Sequence, residues 1–176
     1  MVTFKEFINT FIIQKQKQGS INNHILFDQI PPLKSDTITP FLCEVYPGGH
    51  YLTTCSINPS DMVTSLSKDY YHILFCNVVG YSYFRLYRPE ETPRVYPYQD
   101  LFLKNISRIS NIESPDENQF PLFVNADYVE GVLYPGDMLV IPSYTWFYRR
   151  SLSYSCSTSF LFANPNKKPN EVKKEK

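Results

Sequence analysis

Chemistry near neutral pH calls for imidazoles, thiols or paired carboxylates, and this sequence holds few of them. There are three histidines, His24, His50 and His72, and four cysteines, Cys43, Cys55, Cys76 and Cys156. The set that suits non-haem iron is two histidines and one carboxylate facing inward from neighbouring strands. The segment SKDYYH brings Asp69 and His72 within three positions. On a strand, side chains alternate, so residues three apart point to opposite faces; only a bulge would let both reach one ion. His50 follows Gly48-Gly49 in a turn and His24 precedes ILFDQ, so both read as surface or hydrogen-bonded histidines. No Ser-His-Asp order, phosphate-cradling glycine loop or zinc spacing is present. The cysteines are widely spaced without a C-x-x-C pair, each in an apolar strand-like run, and read as reduced, buried small hydrophobes. Residue types and spacing alone give no catalytic constellation.

The elements that would position such groups are mostly short strands. FLCEVY, YLTTCSI, HILFCNVVG, YSYFRLY, YVEGVLY, DMLVI and YSCSTSFLF are β-type runs separated by PGGH, NPSD, RPEETP and PGD. Seven or more such runs predict a sandwich or small barrel. Ahead of them, TFKEFINTFIIQKQ places Phe4, Phe7, Ile8 and Phe11 on one helical stripe, with Thr3 as cap and Glu6 at the capping-box position. Residues 1–40 thus read as a helical lead-in. The more polar stretch from Tyr98 to Pro121 reads as a helical or irregular insertion between two strand groups. NPNKKPNEVKKEK, residues 164–176, has no apolar period and reads as a solvated, disordered basic tail.

Composition agrees with this plan. A chain of 176 residues has the length of one domain and can bury about two-thirds of its unfolded surface. Aromatic residues make up 16% and charged residues only 19%, which favours strands. Lys+Arg and Asp+Glu both number 17, so no global field attracts nucleic acid or an acidic membrane. No apolar run reaches the roughly 18 residues of a membrane span. Lys5 and Glu6 interrupt the N-terminal apolar patch, which speaks against a signal peptide and for an intracellular protein.

The segment YPGDMLVIPSYTWFYRR carries the sharpest signal: a Pro135-Gly136 turn, a four-residue apolar strand, Pro142 as a stop, then the only tryptophan, Trp146, beside Phe147. Taken in order, FKEFINTFI, HILFDQIPPLK, VVGYSYFRLYRPEETPRVYPY and FPLFVNADYVEGVLYPGDMLVIPSYTWFYRRSLSYSCSTSFLF resemble the small JmjC-domain hydroxylases of the cupin superfamily, in particular the group that includes lysine-specific demethylase 8. The resemblance covers residues 1–163. It implies a mainly β fold, a double-stranded β-helix of the cupin or jelly-roll type, with an N-terminal helix. It also implies an Fe(II) and 2-oxoglutarate site acting on protein side chains.

Carried over residue by residue, that site is degenerate. The family's H-x-D iron motif falls on SKD, so the carboxylate is Asp69 and the first histidine position holds Ser67. The distal histidine follows IP-x-x-x-W, and that position is Phe147. The lysine that pairs with 2-oxoglutarate corresponds to Ser82, an assisting asparagine to Ile73, a pocket tyrosine to Ser20 and a strand tryptophan to Ser56, while Thr64 retains a co-substrate hydroxyl. Asp69 then stands as a vestigial ligand, and neither metal nor 2-oxoglutarate is expected. The resemblance thus implies a JmjC-like binding or scaffold module that has lost oxygenase activity, with a protein or peptide partner. The alternative is an active Fe(II)/2-oxoglutarate-dependent hydroxylase or demethylase with a relocated site, such as Asp69 and His72 on a bulged strand with His50 from a turn.

Overall fold

The structure, a computed structural model, describes residues 3–14 and 19–163, so the basic tail expected at 164–176 lies outside the described residues. It opens with α1 (Phe4–Phe7), which continues as a wider π-type turn over Ile8–Ile13. The capping box forms as its residues predict: Thr3 Oγ1 accepts from the Glu6 amide at 3.2 Å, and Glu6 Oε2 accepts from the Thr3 amide at 2.8 Å. Of the apolar stripe, Phe7 is buried and stacks on Phe11 one turn along with ring centroids 5.2 Å apart, while Phe4 is exposed.

The lead-in is not wholly helical. After α1 comes β1 (Ile21–His24), then the short helices α2 (Leu26–Gln29), α3 (Pro31–Ser35) and α4 (Phe41–Val45). Strand β1 forms because it has an edge to join, with Ile21 opposite Ile57 and His24 opposite Cys55; its INNH sequence shows no alternation of its own. FLCEV, read as a strand, is helical α4 instead. A five-residue apolar run fits either conformation, and burial of Cys43 against the sheet decides it here.

Eight further strands follow: β2 (His50–Asn58), β3 (Val63–Lys68), β4 (His72–Val79), β5 (Ser82–Tyr87), β6 (Tyr128–Leu133), β7 (Met138–Ile141), β8 (Trp146–Ser151) and β9 (Ser155–Phe162). They form two antiparallel sheets, β1-β2-β9-β4-β7 and β3-β8-β5-β6. The mainly β, two-sheet architecture expected of a cupin is therefore present. Sheet alternation sorts the side chains into three cores. Ile73, Phe75 and Ile141 meet Phe84 between the sheets. Leu74, Phe160 and Phe162 face outward against α4. On the far side, Leu66, Tyr87, Trp146 and Tyr148 face the segment that connects β5 to β6.

That connection, residues 88–127, contains the insertion expected from Tyr98 to Pro121, which is irregular, and carries two 3-10 turns on either side of it, Pro89–Glu91 and Phe123–Asn125. Despite its polar sequence it contributes Val95, Ile109, Ile112, Phe120 and Phe123 to the outer core. Trp146, fully buried there, also donates Nε1–H to Thr92 Oγ1 at 2.9 Å. Removing a side chain of that size from water contributes on the order of 3 kcal/mol. The β4–β5 turn needs Gly80, whose φ is +78° and whose absent Cβ would collide with the Tyr154 carbonyl. No cysteine is bridged, and no helix among the described residues is long and apolar enough to cross a membrane.

Candidate functional site

Between the two sheets lies a cavity of about 200 Å³. Strand β8 supplies one wall. Trp146 and Tyr148 point away into the outer core, and by alternation Phe147 and Arg149 point inward; both line the cavity. Strand β3 runs beside it with Thr64 opposite Arg149 and Ser67 opposite Phe147. Three residues on β3 thus span two on β8, and this bulge is what brings both Thr64 and Ser67 to the inner face while Leu66 stays in the outer core.

Of the residues singled out in the sequence, Thr64, Asp69, Ile73 and Phe147 share this cavity, and Ser67 sits beside it in register with Phe147. Asp69 leaves β3 at the rim. Its Oδ1 accepts the Tyr71 amide at 3.0 Å, and its carbonyl accepts the Tyr144 amide at 2.7 Å. Ile73 pairs with Ile141 and Leu161 in the opposite sheet. Ser82 is not part of the lining: it is fully buried at the start of β5 and donates to Asn77 Oδ1 at 3.0 Å. Ser56 Oγ accepts the Asn23 amide at 3.0 Å, tying β1 to β2, and Ser20 lies in a groove against α1.

The histidines lie elsewhere. His72 is on the outer face of its sheet, its ring 5.4 Å from those of Tyr46 and Phe162, and its Nδ1 accepts the Ser143 amide at 3.0 Å. Burial holds its pKa below the ordinary histidine value. His50 bonds Thr53 Oγ1 at 2.8 Å and His24 bonds Gln29 Oε1 at 3.2 Å. Among the described residues no three His, Cys, Asp or Glu side chains lie close enough to hold a metal ion.

Arg149 is the cavity residue that motif reading passed over. It lies in an Arg-Arg pair that looks solvent-facing, yet it is only 6% exposed. The signal that would have found it is period two: once Phe147 is assigned inward, Arg149 must follow. Its neighbour Arg150 points out to Glu113, with Nε to Oε1 at 2.9 Å.

A family model described as a cupin-like domain matches residues 1–168. The chain belongs to this family. It is 38% identical to lysine-specific demethylase 8 of Danio rerio over 93% of the chain, 32% identical to JmjC domain-containing protein D of Dictyostelium discoideum over 89%, and 34% identical to lysine-specific demethylase JMJ30 of Arabidopsis thaliana over 93%. The chain spans about two-fifths of each relative's length, from 39% to 41%. It is a JmjC-type cupin domain.

JmjC cupins of the oxygenase type imply Fe(II), and the lining can be tested for it. A two-histidine, one-carboxylate set needs two imidazoles beside a carboxylate. Beside Asp69 the inner face carries Phe147, which has no lone pair, and Ser67, a neutral hydroxyl. The residues present do not fit that ion. The cavity is instead mostly apolar, with Leu52, Phe75, Phe84, Ile141 and Leu161 around the polar groups.

Proposed function

We propose that this JmjC-type domain has given up Fe(II)/2-oxoglutarate chemistry and serves as a binding or scaffold module. The observation that carries the reading is the phenyl ring of Phe147 on the cavity wall, at the position matching the family's distal histidine, with Ser67 opposite it where the first histidine would be. Changing only an outer partner of a metal ligand typically costs about 10–100-fold in affinity. Loss of two nitrogen ligands costs far more. Ser82, at the family's lysine position, is engaged with Asn77 and supplies no cation to a second carboxylate, which supports loss of the co-substrate as well.

A protein or peptide is the proposed partner. Four tyrosines gather beside Asp69: Tyr51 stacks on Tyr71 at 4.4 Å, and Tyr70 meets Tyr144 edge-on at 5.6 Å. Amphipathic rings of this kind contribute contact area with little loss of conformational freedom on binding. An intracellular setting belongs to the same proposal.

Titration with Mn(II), monitored by calorimetry and by water-proton relaxation, tests the loss of metal. The wild-type domain is expected to bind no Mn(II) at micromolar concentrations. A Ser67→His, Phe147→His double variant, which returns two imidazoles beside Asp69, is expected to gain binding. Micromolar affinity in the wild type would overturn the reading.

A further inference from the structure

Among the described residues, Arg149 is a buried cation without a counter-ion. Nη1 donates to Ser157 Oγ at 3.1 Å. Nη2 reaches Asn22 Oδ1 at 3.5 Å and, with the Asn58 amide turned so that its oxygen faces the guanidinium, Asn58 Oδ1 at 2.8 Å. All three acceptors are neutral, and Arg149 takes part in none of the ion pairs among the described residues. A guanidinium carries five N–H donors, so this one retains capacity to donate. Burying an uncompensated charge is costly, and here burial lowers the Arg149 pKa to about 10.

The surroundings define what would satisfy it. Thr64 and Phe84 lie directly opposite Arg149 on the two flanking strands, and all three line the cavity. The Phe75 ring centroid is 5.2 Å from the guanidinium carbon. Beyond them the wall is Ile73, Phe147 and Leu161. Asp69 stands past the residue opposite Trp146, about four residue steps from Arg149, or roughly 13 Å at strand spacing. Among the described residues, Arg149 is the only cation in the lining and Asp69 the only anion.

We propose that this cavity binds a small monocarboxylate with an apolar body, its carboxylate on Arg149 and the Thr64 hydroxyl and its body against Phe75, Phe84 and Phe147, without a metal. The inference names the ligand class of the binding module proposed above and rests on that reading. A carboxylate brings the missing counter-charge and accepts from a guanidinium in a two-pronged geometry. A second anionic group on the ligand would find no second cation and would approach Asp69. An engineered apolar cavity of about 150 Å³ holds benzene, so about 200 Å³ admits an acid of benzoate size.

The test is an NMR titration of the wild-type domain in EDTA with benzoate, its neutral isostere benzamide, and the dianion 2-oxoglutarate. Benzoate is expected to bind at least tenfold more tightly than either, with shifts at the Arg149 Nε–H and the Phe147 amide. Arg149→Met is expected to lose at least tenfold in benzoate affinity. Absence of benzoate binding, equal affinity for benzamide, preference for 2-oxoglutarate, or unchanged affinity in Arg149→Met would each overturn the proposal. Should that variant fail to fold, the benzoate–benzamide ratio on the wild type decides alone. The Mn(II) titration is scored separately: metal binding defeats the module reading, whereas failure of benzoate with no metal bound defeats only this inference.

Discussion

The two faces of β8 follow different rules. On the outward face, Trp146 and Tyr148 sit in a core with Leu66, Tyr87 and the apolar residues of the 88–127 insertion, and both polar tips are used: Trp146 Nε1 on Thr92 and Tyr148 Oη on Glu113. On the inward face, Phe147 and Arg149 border the cavity, and among the described residues the arginine meets only neutral acceptors. One strand thus carries a packed face that holds the insertion on the sheet and a loosely filled face that lines a chamber. Because alternate residues share a backbone but not an environment, side chains on the chamber face can change chemistry without unpacking the outer core.

Mutations can break or sharpen that contrast. Trp146→Ala is expected to have the largest effect, about 3–5 kcal/mol in urea unfolding, because it opens a void in a filled core and removes the hydrogen bond to Thr92. Phe147→Ala, one residue on, is expected to cost only about 1–2 kcal/mol, since the half-buried ring already adjoins a cavity. Equal losses at the two positions would erase the distinction between the faces. Tyr148→Phe removes a 2.6 Å hydrogen bond to Glu113 but leaves that carboxylate its pairing with Arg150; a loss of about 1 kcal/mol in the same assay is expected.

The smallest effect concerns pH and the outer face of the other sheet. Burial depresses the His72 pKa, and its Nδ1 must be unprotonated to accept the Ser143 amide. The unfolded chain therefore takes up the proton first as pH falls. Stability present above the unfolded value of about 6.5 is lost as pH drops toward the lower folded value. Unfolding midpoints between pH 7 and pH 5 should fall in the wild type and fall less steeply in His72→Gln.

Local features were legible in the sequence because neighbouring residues determine them. The Thr3–Glu6 capping box and the Pro135-Gly136-Asp137 turn, with Gly136 at φ +92°, need only residues a few positions apart. Features decided by partners distant in sequence were not. Strand β1 exists because β2 offers an edge, and α4 is helical because Cys43 has a sheet to cover. Strands β3 and β8 escaped a hydrophobic-run search because VTSLSK is polar and WFYRRS is buried on both faces, so neither shows the expected contrast. The candidate site divided the same way. Thr64, Asp69, Ile73 and Phe147 were placed by motif and share the cavity, whereas Arg149 belongs to no motif and becomes visible only when the strand's facing is known.

Asp69 offers a last consequence. Its carboxylate receives the Tyr71 amide, and its carbonyl receives the Tyr144 amide from the loop before β8, so the residue clasps two rim loops together. The backbone carbonyl makes the bond between the loops, and the acid has its own employment in shaping the turn over Asp69 to Tyr71, independent of any ion. Asp69→Asn, which keeps the acceptor oxygen, should preserve amide-exchange protection at Tyr71 and Tyr144, while Asp69→Ala should let the rim breathe. The side chain that looks like the remnant of a metal centre then serves to fold the turn whose backbone carbonyl holds the far side of the chamber's mouth.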